Sequence, residues 1–149
     1  MFDVVYIWSP MSFTSFEEIE AWKEARILVQ ELRKLCSGES ARRDFAWKDQ
    51  ILRAGLSVMS NIAEGNDAYT NAEFAKFLSY AKRSSAEIRA QLYYGLDAGY
   101  FHEDRFSDCN ARCLKIGSQI GRLMGYLHKN PSRNTHTIRG QIIQTSNLI

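Results

Sequence analysis

Residues 11–130 contain no proline; the only two in the chain are Pro10 and Pro131. Proline lacks the amide donor that a helix interior needs, and its ring collides with the preceding turn. A proline-free run of this length is therefore open to long helices. Hydrophobic residues make up 45% of the chain and charged residues 24%, which supports a packed core and argues against disorder. A length of 149 residues suits one domain. No apolar run approaches the roughly 20 residues needed to span a bilayer, so no membrane partner is expected.

Four helices follow from periodicity and punctuation. The first is predicted from about Ser15 to Leu35. It opens on Ser15-Phe-Glu-Glu18, which reads as a capping box, and carries Phe16, Ile19, Trp22, Val29, Leu32 and Leu35 at helical spacing. The second runs from about Arg42 to Glu64, with Ile51, Leu52, Leu56, Val58, Met59, Ile62 and Ala63 as a broad apolar face. Gly65 is expected as its left-handed cap. The third opens on Thr70-Asn-Ala-Glu73, a second capping box, and ends at Gly99. Phe74, Leu78, Ala81, Ser85, Ile88, Leu92 and Gly95 alternate by four and three along it. The fourth starts near Glu103-Asp104, with Phe106, Cys109, Cys113, Ile116, Ile120, Leu123 and Leu127 as its seam. Beside that seam Gly117, Gly121 and Gly125 fall four apart, which suggests another helix backbone passing close. Short connections make sequential helices antiparallel neighbours. The expected fold is all-α, an antiparallel up-down-up-down four-helix bundle over residues 15–130. Residues 1–14 are expected to form a mobile extension and residues 131–149 a basic, polar tail.

Charge is unevenly spread. Residues 1–108 hold 13 basic and all 17 acidic residues, a net of −4. Residues 109–149 hold Arg112, Lys115, Arg122, Lys129, Arg133 and Arg139 and no acid, a net of +6. A basic C-terminal third on an acidic body suits phosphate backbones or an acidic surface, and Arg112, Lys115, Arg122 and Lys129 are the candidate nucleic-acid contacts. The competing reading is a solvated helix face leading into a basic tail. Three cysteines, Cys36, Cys109 and Cys113, and an N-terminal stretch without a basic n-region suggest reduced thiols in a cytoplasmic protein.

Most enzymatic patterns are missing. None of His102, His128 and His136 has a glutamate three residues before it, as a carboxylate di-metal bundle would need. Cys109 and Cys113 share a face, but they sit on the apolar seam and no second ligand pair is visible, so no metal or cofactor is expected. One pattern remains: Arg122-x5-His128 resembles the Arg-x(4–6)-His signature of HEPN ribonucleases, helical proteins in which the two residues act on the RNA phosphodiester. Leu123 stands where that family usually has a polar residue. Within the second and third helices, Ser60, Asn61, Glu64, Ser84 and Glu87 are polar residues close to the bundle interior. A carboxylate there is costly unless paired, for example with Arg53 or Lys82. A ligand site is the other reading.

The segment Gln50-Ile-Leu-Arg-Ala-Gly-Leu-Ser-Val-Met-Ser-Asn-Ile-Ala-Glu-Gly65 resembles the signature of the four helix bundle proteins related to the 23S rRNA intervening-sequence-encoded protein. Arg53, Ala54, Ser57, Asn61, Ile62, Ala63, Glu64 and Gly65 match it. Glu73, Phe74, Phe77, Leu78 and Ala81 match the segment that follows, and Ser84 and Glu87 match Gly-Ser-x-x-Glu. Leu52, Met59 and Arg83 depart from the pattern, in place of an arginine, a proline or small residue, and a glycine. The resemblance spans about Phe16 to Leu127. It implies an up-down-up-down bundle assembled into a ring, a homopentamer, and a link to RNA. It also brings in related accessory factors of reverse transcriptases in diversity-generating retroelements. It carries no catalytic residues. Arg53, Asn61, Glu64, Ser84 and Glu87 are the family-motif positions, in a structural or a ligand role. The expected function is thus a non-enzymatic, oligomeric, RNA-associated interaction protein. A HEPN-like ribonuclease using Arg122 and His128, or a purely structural oligomer, is the alternative.

Overall fold

The computed structural model describes residues 13–131. Residues 1–12 of the extension expected over 1–14, and residues 132–149 of the tail expected over 131–149, lie outside the described residues. Four helices make up the body: α1 (Glu20–Cys36), α2 (Phe45–Asn66), α3 (Asn71–Asp97) and α4 (Glu103–Lys129). Short 3-10 turns at Phe16–Glu18 and Ala41–Arg43 lead into the first two. Among the described residues no helix is long and apolar enough to cross a membrane.

The helix senses follow from which residues meet. Ser57 of α2 meets Ser84 of α3 while Gln50 meets Gln91. Arg89 of α3 meets Asn110 of α4 while Asn71 reaches Asn130. Glu24 of α1 meets Arg112 and Lys115 of α4 while Glu31 meets Arg105. In each pair one number rises as the other falls, so α1 opposes α4, α4 opposes α3 and α3 opposes α2. Cyclic contact of α1 with α2, α2 with α3, α3 with α4 and α4 with α1 closes the bundle.

The seams of α3 and α4 bury as their spacing predicts. Phe74, Leu78, Ala81, Ser85, Ile88, Leu92 and Gly95 are all buried, as are Cys109, Cys113, Ile116, Ile120, Leu123 and Leu127. The first two helices depart in detail. In α1 the inward line is Ala21, Ala25, Leu28, Leu32 and Leu35, while Trp22 packs at the edge against Phe16, ring centroids 4.9 Å apart. In α2 Trp47 and Ala54 join Ile51, Val58 and Ile62 inside, and Leu56 is left 55% exposed. A broad apolar stripe does not say which of its edges faces the core; here α1 and α3 together claim the Trp47–Ile51–Val58 line.

The caps also differ. Ser15 makes no side-chain cap bond; Thr14 bonds the Glu18 carboxylate through its backbone N–H (3.1 Å) and its hydroxyl (2.5 Å). The chain makes a 3-10 turn there, and α1 proper starts after Ile19. Asp44 caps α2, its Oδ1 accepting from the Trp47 N–H at 3.0 Å. Thr70 caps α3 as its motif predicts, accepting from the Glu73 N–H at 3.1 Å. Gly99, with φ +74°, ends α3 in the left-handed conformation. The N–H groups of Tyr100 and Gly99 satisfy the carbonyls of Gly95 (2.9 Å) and Leu96 (3.0 Å) there.

Two glycine expectations are overturned. Gly65 is not a left-handed cap: α2 runs through it to Asn66, and Gly99 is the only described glycine with positive φ. Its missing side chain makes room for α3 instead, since a Cβ there would stand 2.6 Å from Phe74 Cδ2 and 2.9 Å from Phe77 Cβ. The ridge of Gly117, Gly121 and Gly125 meets no neighbouring helix among the described residues, and a Cβ at any of the three would find none of them within 4 Å. The seam of α4 already faces α1 and α3, so the ridge beside it turns outward. The two surroundings call for opposite effects in thermal or denaturant melts. Gly65→Ala is expected to cost about 1–3 kcal/mol by overpacking. Gly121→Ala is expected to raise stability by up to about 1 kcal/mol through helix propensity. The reverse ranking would show that the ridge, not Gly65, carries the close packing.

Candidate functional site

An α-helix advances about 100° per residue, so a seven-residue step drifts by only about 20°. Lys115, Arg122 and Lys129 therefore lie along one line of α4, away from its Cys113–Ile120–Leu127 seam, and all three are exposed. Arg122 donates to Ser118 Oγ at 3.0 Å, one turn back on the same helix. Arg112 is set apart from this line. Its guanidinium and the Lys115 ammonium (2.8 Å) both bind the carboxylate of Glu24 on α1. The structure thus gathers three of the four sequence-derived cations into a stripe and commits Arg112, together with Lys115 at the head of that stripe, to holding α1 against α4.

Glu24, 7% exposed, was not a candidate from the sequence. Its place in the Ala21–Ala25–Leu28 spacing of α1 is the signal that could have found it. Burial works to raise its carboxyl, but the hydrogen bonds and charges of Lys115 and Arg112 outweigh burial and hold it below the usual carboxylate range. A second tie of the same kind joins Arg105 to Glu31 at 2.8 Å.

The family-motif residues separate into two groups. Ser57, Asn61 and Ser84 come together on the α2–α3 seam. The two serine hydroxyls share a hydrogen bond of 2.9 Å, and Asn61 Nδ2 donates to the Ser57 carbonyl (2.8 Å) and hydroxyl (3.1 Å). Arg53, Glu64 and Glu87 do not join them. Arg53 pairs with Asp49 on its own helix at 3.2 Å, with both side chains exposed. Glu64 and Glu87 are exposed, and no hydrogen bond or ion pair to their side-chain carboxylates is found among the described residues. The expectation that Glu87 approaches the interior and pairs with Arg53 or Lys82 therefore fails. One residue of helix turns about 100°, which carries Glu87 off the Ser85–Ile88 seam. Of the departures from the family pattern, Leu52 and Met59 pack half-buried against the core, and Arg83 lies over the Tyr80 ring at 5.8 Å.

A polar cluster that the sequence did not single out sits at the other end of the same seam. Asp44 Oδ2 accepts from the hydroxyls of Tyr100 (2.6 Å) and Tyr94 (3.3 Å), while its Oδ1 holds the start of α2. Trp47 Nε1 donates to the Gln91 carbonyl at 2.9 Å, and Gln91 Nε2 donates to Gln50 Oε1 at 2.9 Å. Asp44, Ala46, Trp47, Gln50, Gln91 and Tyr94 line a shallow, open depression there.

Arg122 and His128 are both exposed on α4, and no hydrogen bond joins them. Cys109 and Cys113 are buried free thiols, pushed up to about 11 and about 12 chiefly by burial. Among the described residues no three His, Cys, Asp or Glu side chains converge as a metal site requires.

Glu24 offers a direct test of the α1–α4 tie. Glu24→Gln is expected to lower stability near pH 7 by about 1–2 kcal/mol, because its two cations are partly exposed and regain water. A carboxyl lowered by folding stabilises above its unfolded pKa of about 4.3 and loses that contribution as pH falls through the folded value. Denaturant melts of both proteins should therefore show the gap narrowing as pH falls below the unfolded carboxyl value. A gap that persists in acid would mean that the ion pairs do not carry it.

Comparison with known proteins places this geometry. A crystal structure of a protein with unknown function from the S23 ribosomal protein family of Bacteroides thetaiotaomicron is similar, with a TM-score of 0.64 and 20% identity. The match covers 70% of this chain and 97% of that one, and at this identity it speaks for the fold. No curated protein matches the chain. The profile of the 23S rRNA-intervening sequence proteins matches residues 17–122, from the 3-10 turn before α1 to the middle of the α4 stripe. On that match the chain belongs to the 23S rRNA-intervening sequence protein family.

Proposed function

We propose that this chain is a non-enzymatic, cytoplasmic accessory protein that assembles into a closed homo-oligomer, a pentameric ring, and binds RNA through the outer face of α4. The observation that carries this reading is the exposed Arg122–Lys129 pair on the Lys115–Arg122–Lys129 line, whose first member, Lys115, is already paired with Glu24. The line runs along a helix with no acidic residue after Asp108. Phosphate contacts need cations that are exposed and not already neutralised, and Arg122 and Lys129 have no acidic partner among the described residues. The family name, which refers to sequences intervening in 23S rRNA, supports an RNA partner.

The ring is supported by apolar surface that one bundle leaves uncovered. Phe45 is 76% exposed, Leu56 55% and Leu114 51%. A heterologous interface between copies would cover some of it and close on itself. Each ring then repeats the cationic line, so weak phosphate contacts add.

Binding of labelled structured RNA at two salt concentrations tests the reading. Affinity is expected to fall steeply with salt. Reversing two charges, Arg122→Glu with Lys129→Glu, should weaken all RNA sequences alike and reduce the salt slope by roughly one per lost phosphate contact. Salt-insensitive binding, or none at low salt, would remove the RNA reading and leave a structural oligomer. His128→Ala is expected to change nothing in this assay; RNA cleavage that disappears in that variant would make the protein a ribonuclease, since acid–base chemistry needs the imidazole. Light scattering that finds a stable monomer at micromolar concentration would remove the ring.

A further inference from the structure

The depression at the start of α2 has a chemistry opposite to that of the α4 stripe. Its floor is the Asp44 carboxylate, held by the Tyr100 and Tyr94 hydroxyls and the Trp47 N–H. Those donors keep the carboxyl below its ordinary range, the Tyr100 hydroxyl most of all. No lysine or arginine among the described residues forms an ion pair with it. Each carboxylate oxygen can accept about two hydrogen bonds. Oδ2 already takes two from the tyrosines, while Oδ1 takes one and keeps an acceptor position. Gln91 spends its amide N–H on Gln50, which leaves its Oε1 as a second acceptor on the same rim. Tyr94, 53% exposed, presents an aromatic ring beside them.

An anionic acceptor, a neutral acceptor and an accessible ring select a flat cation. A guanidinium offers five donors in one plane and stacks on aromatic faces, whereas an ammonium is a hydrated point charge that uses the ring less well. A phosphate is repelled by the carboxylate. The depression is shallow and open, so it would grip only the tip of a ligand held in place by something larger.

We propose that the Asp44–Gln91–Tyr94 depression binds an alkylguanidinium, the arginine side chain of a protein partner. Phosphate is then met on α4 and protein at the α1–α2 end of the bundle. The proposal stands whether or not α4 binds RNA.

The test uses the full chain labelled with nitrogen-15. It is titrated with blocked Gly-Gly-Arg-Gly-Gly, with the same peptide carrying neutral citrulline, and with agmatine. Saturable shifts are expected at the Trp47 indole N–H and the Gln50 and Gln91 side-chain amides, with the arginine peptide tighter than the citrulline peptide by about fivefold or more. Asp44→Asn keeps a good helix cap, so it should fold and lose the response. Tyr94→Leu alters an exposed ring, provides a second folded variant, and should weaken the response. Absence of localised shifts, equal response to citrulline, or an unaltered response in either variant would overturn the proposal. Agmatine binding as tightly as the peptide would assign the site to a free small cation and overturn the protein partner.

Discussion

One apolar seam supports everything else in this bundle. Leu28, Leu32, Ile51, Val58, Ile62, Leu78, Ile88, Leu92, Ile116 and Ile120 show no exposure at all. Full burial of such a side chain contributes about 1.5–3 kcal/mol. No single hydrogen bond or surface ion pair in the molecule approaches the combined effect. Because the seam draws on all four helices, none of them buries its stripe without the other three. Isolated helices are marginal in water, so cooperativity resides in the seam.

Burial alone is indifferent to small slides and rotations. Directional bonds supply the register. Ser85 donates its hydroxyl to the Cys113 carbonyl at 3.1 Å inside the core, and Trp47 does the same to Gln91 at the bundle edge. Asp44 ties three places in the chain: the start of α2, the last turn of α3 and the loop before α4. Glu24 ties α1 to α4 through two cations. The Ser57–Ser84–Asn61 group does the same between α2 and α3, which gives that part of the family motif a structural explanation.

With the interior occupied by packing, chemistry is left to the surface. The described residues bring together no three His, Cys, Asp or Glu side chains as metal ligands. What the surface offers is contrast: a cationic line on α4 and a carboxylate in an aromatic setting at the start of α2. Glu64 and Glu87 expose further carboxylates with no side-chain partner among the described residues.

Helix count, short connections and the inward lines of α3 and α4 are all legible in the residue pattern. Those lines are narrow, and a narrow stripe of period 3.6 has one way to face a core. The family is legible there too, through Asn61-Ile-Ala-Glu-Gly65. The tertiary structure decided everything that depends on which neighbour a helix meets. The broad stripe of α2 could turn either edge inward, and contact with α1 and α3 chose Trp47 over Leu56. Glycine is neutral about its surroundings, so only packing could show that Gly65 lies against Phe74 and Phe77 while Gly121 faces open space. Charged residues carry no address in the sequence. Arg112 and Arg122 look alike there, yet Glu24, 88 positions from Arg112, claims one and leaves the other on the surface. Side chains far apart in the chain find each other only after the apolar seam has closed, and that is why the site is less legible than the fold.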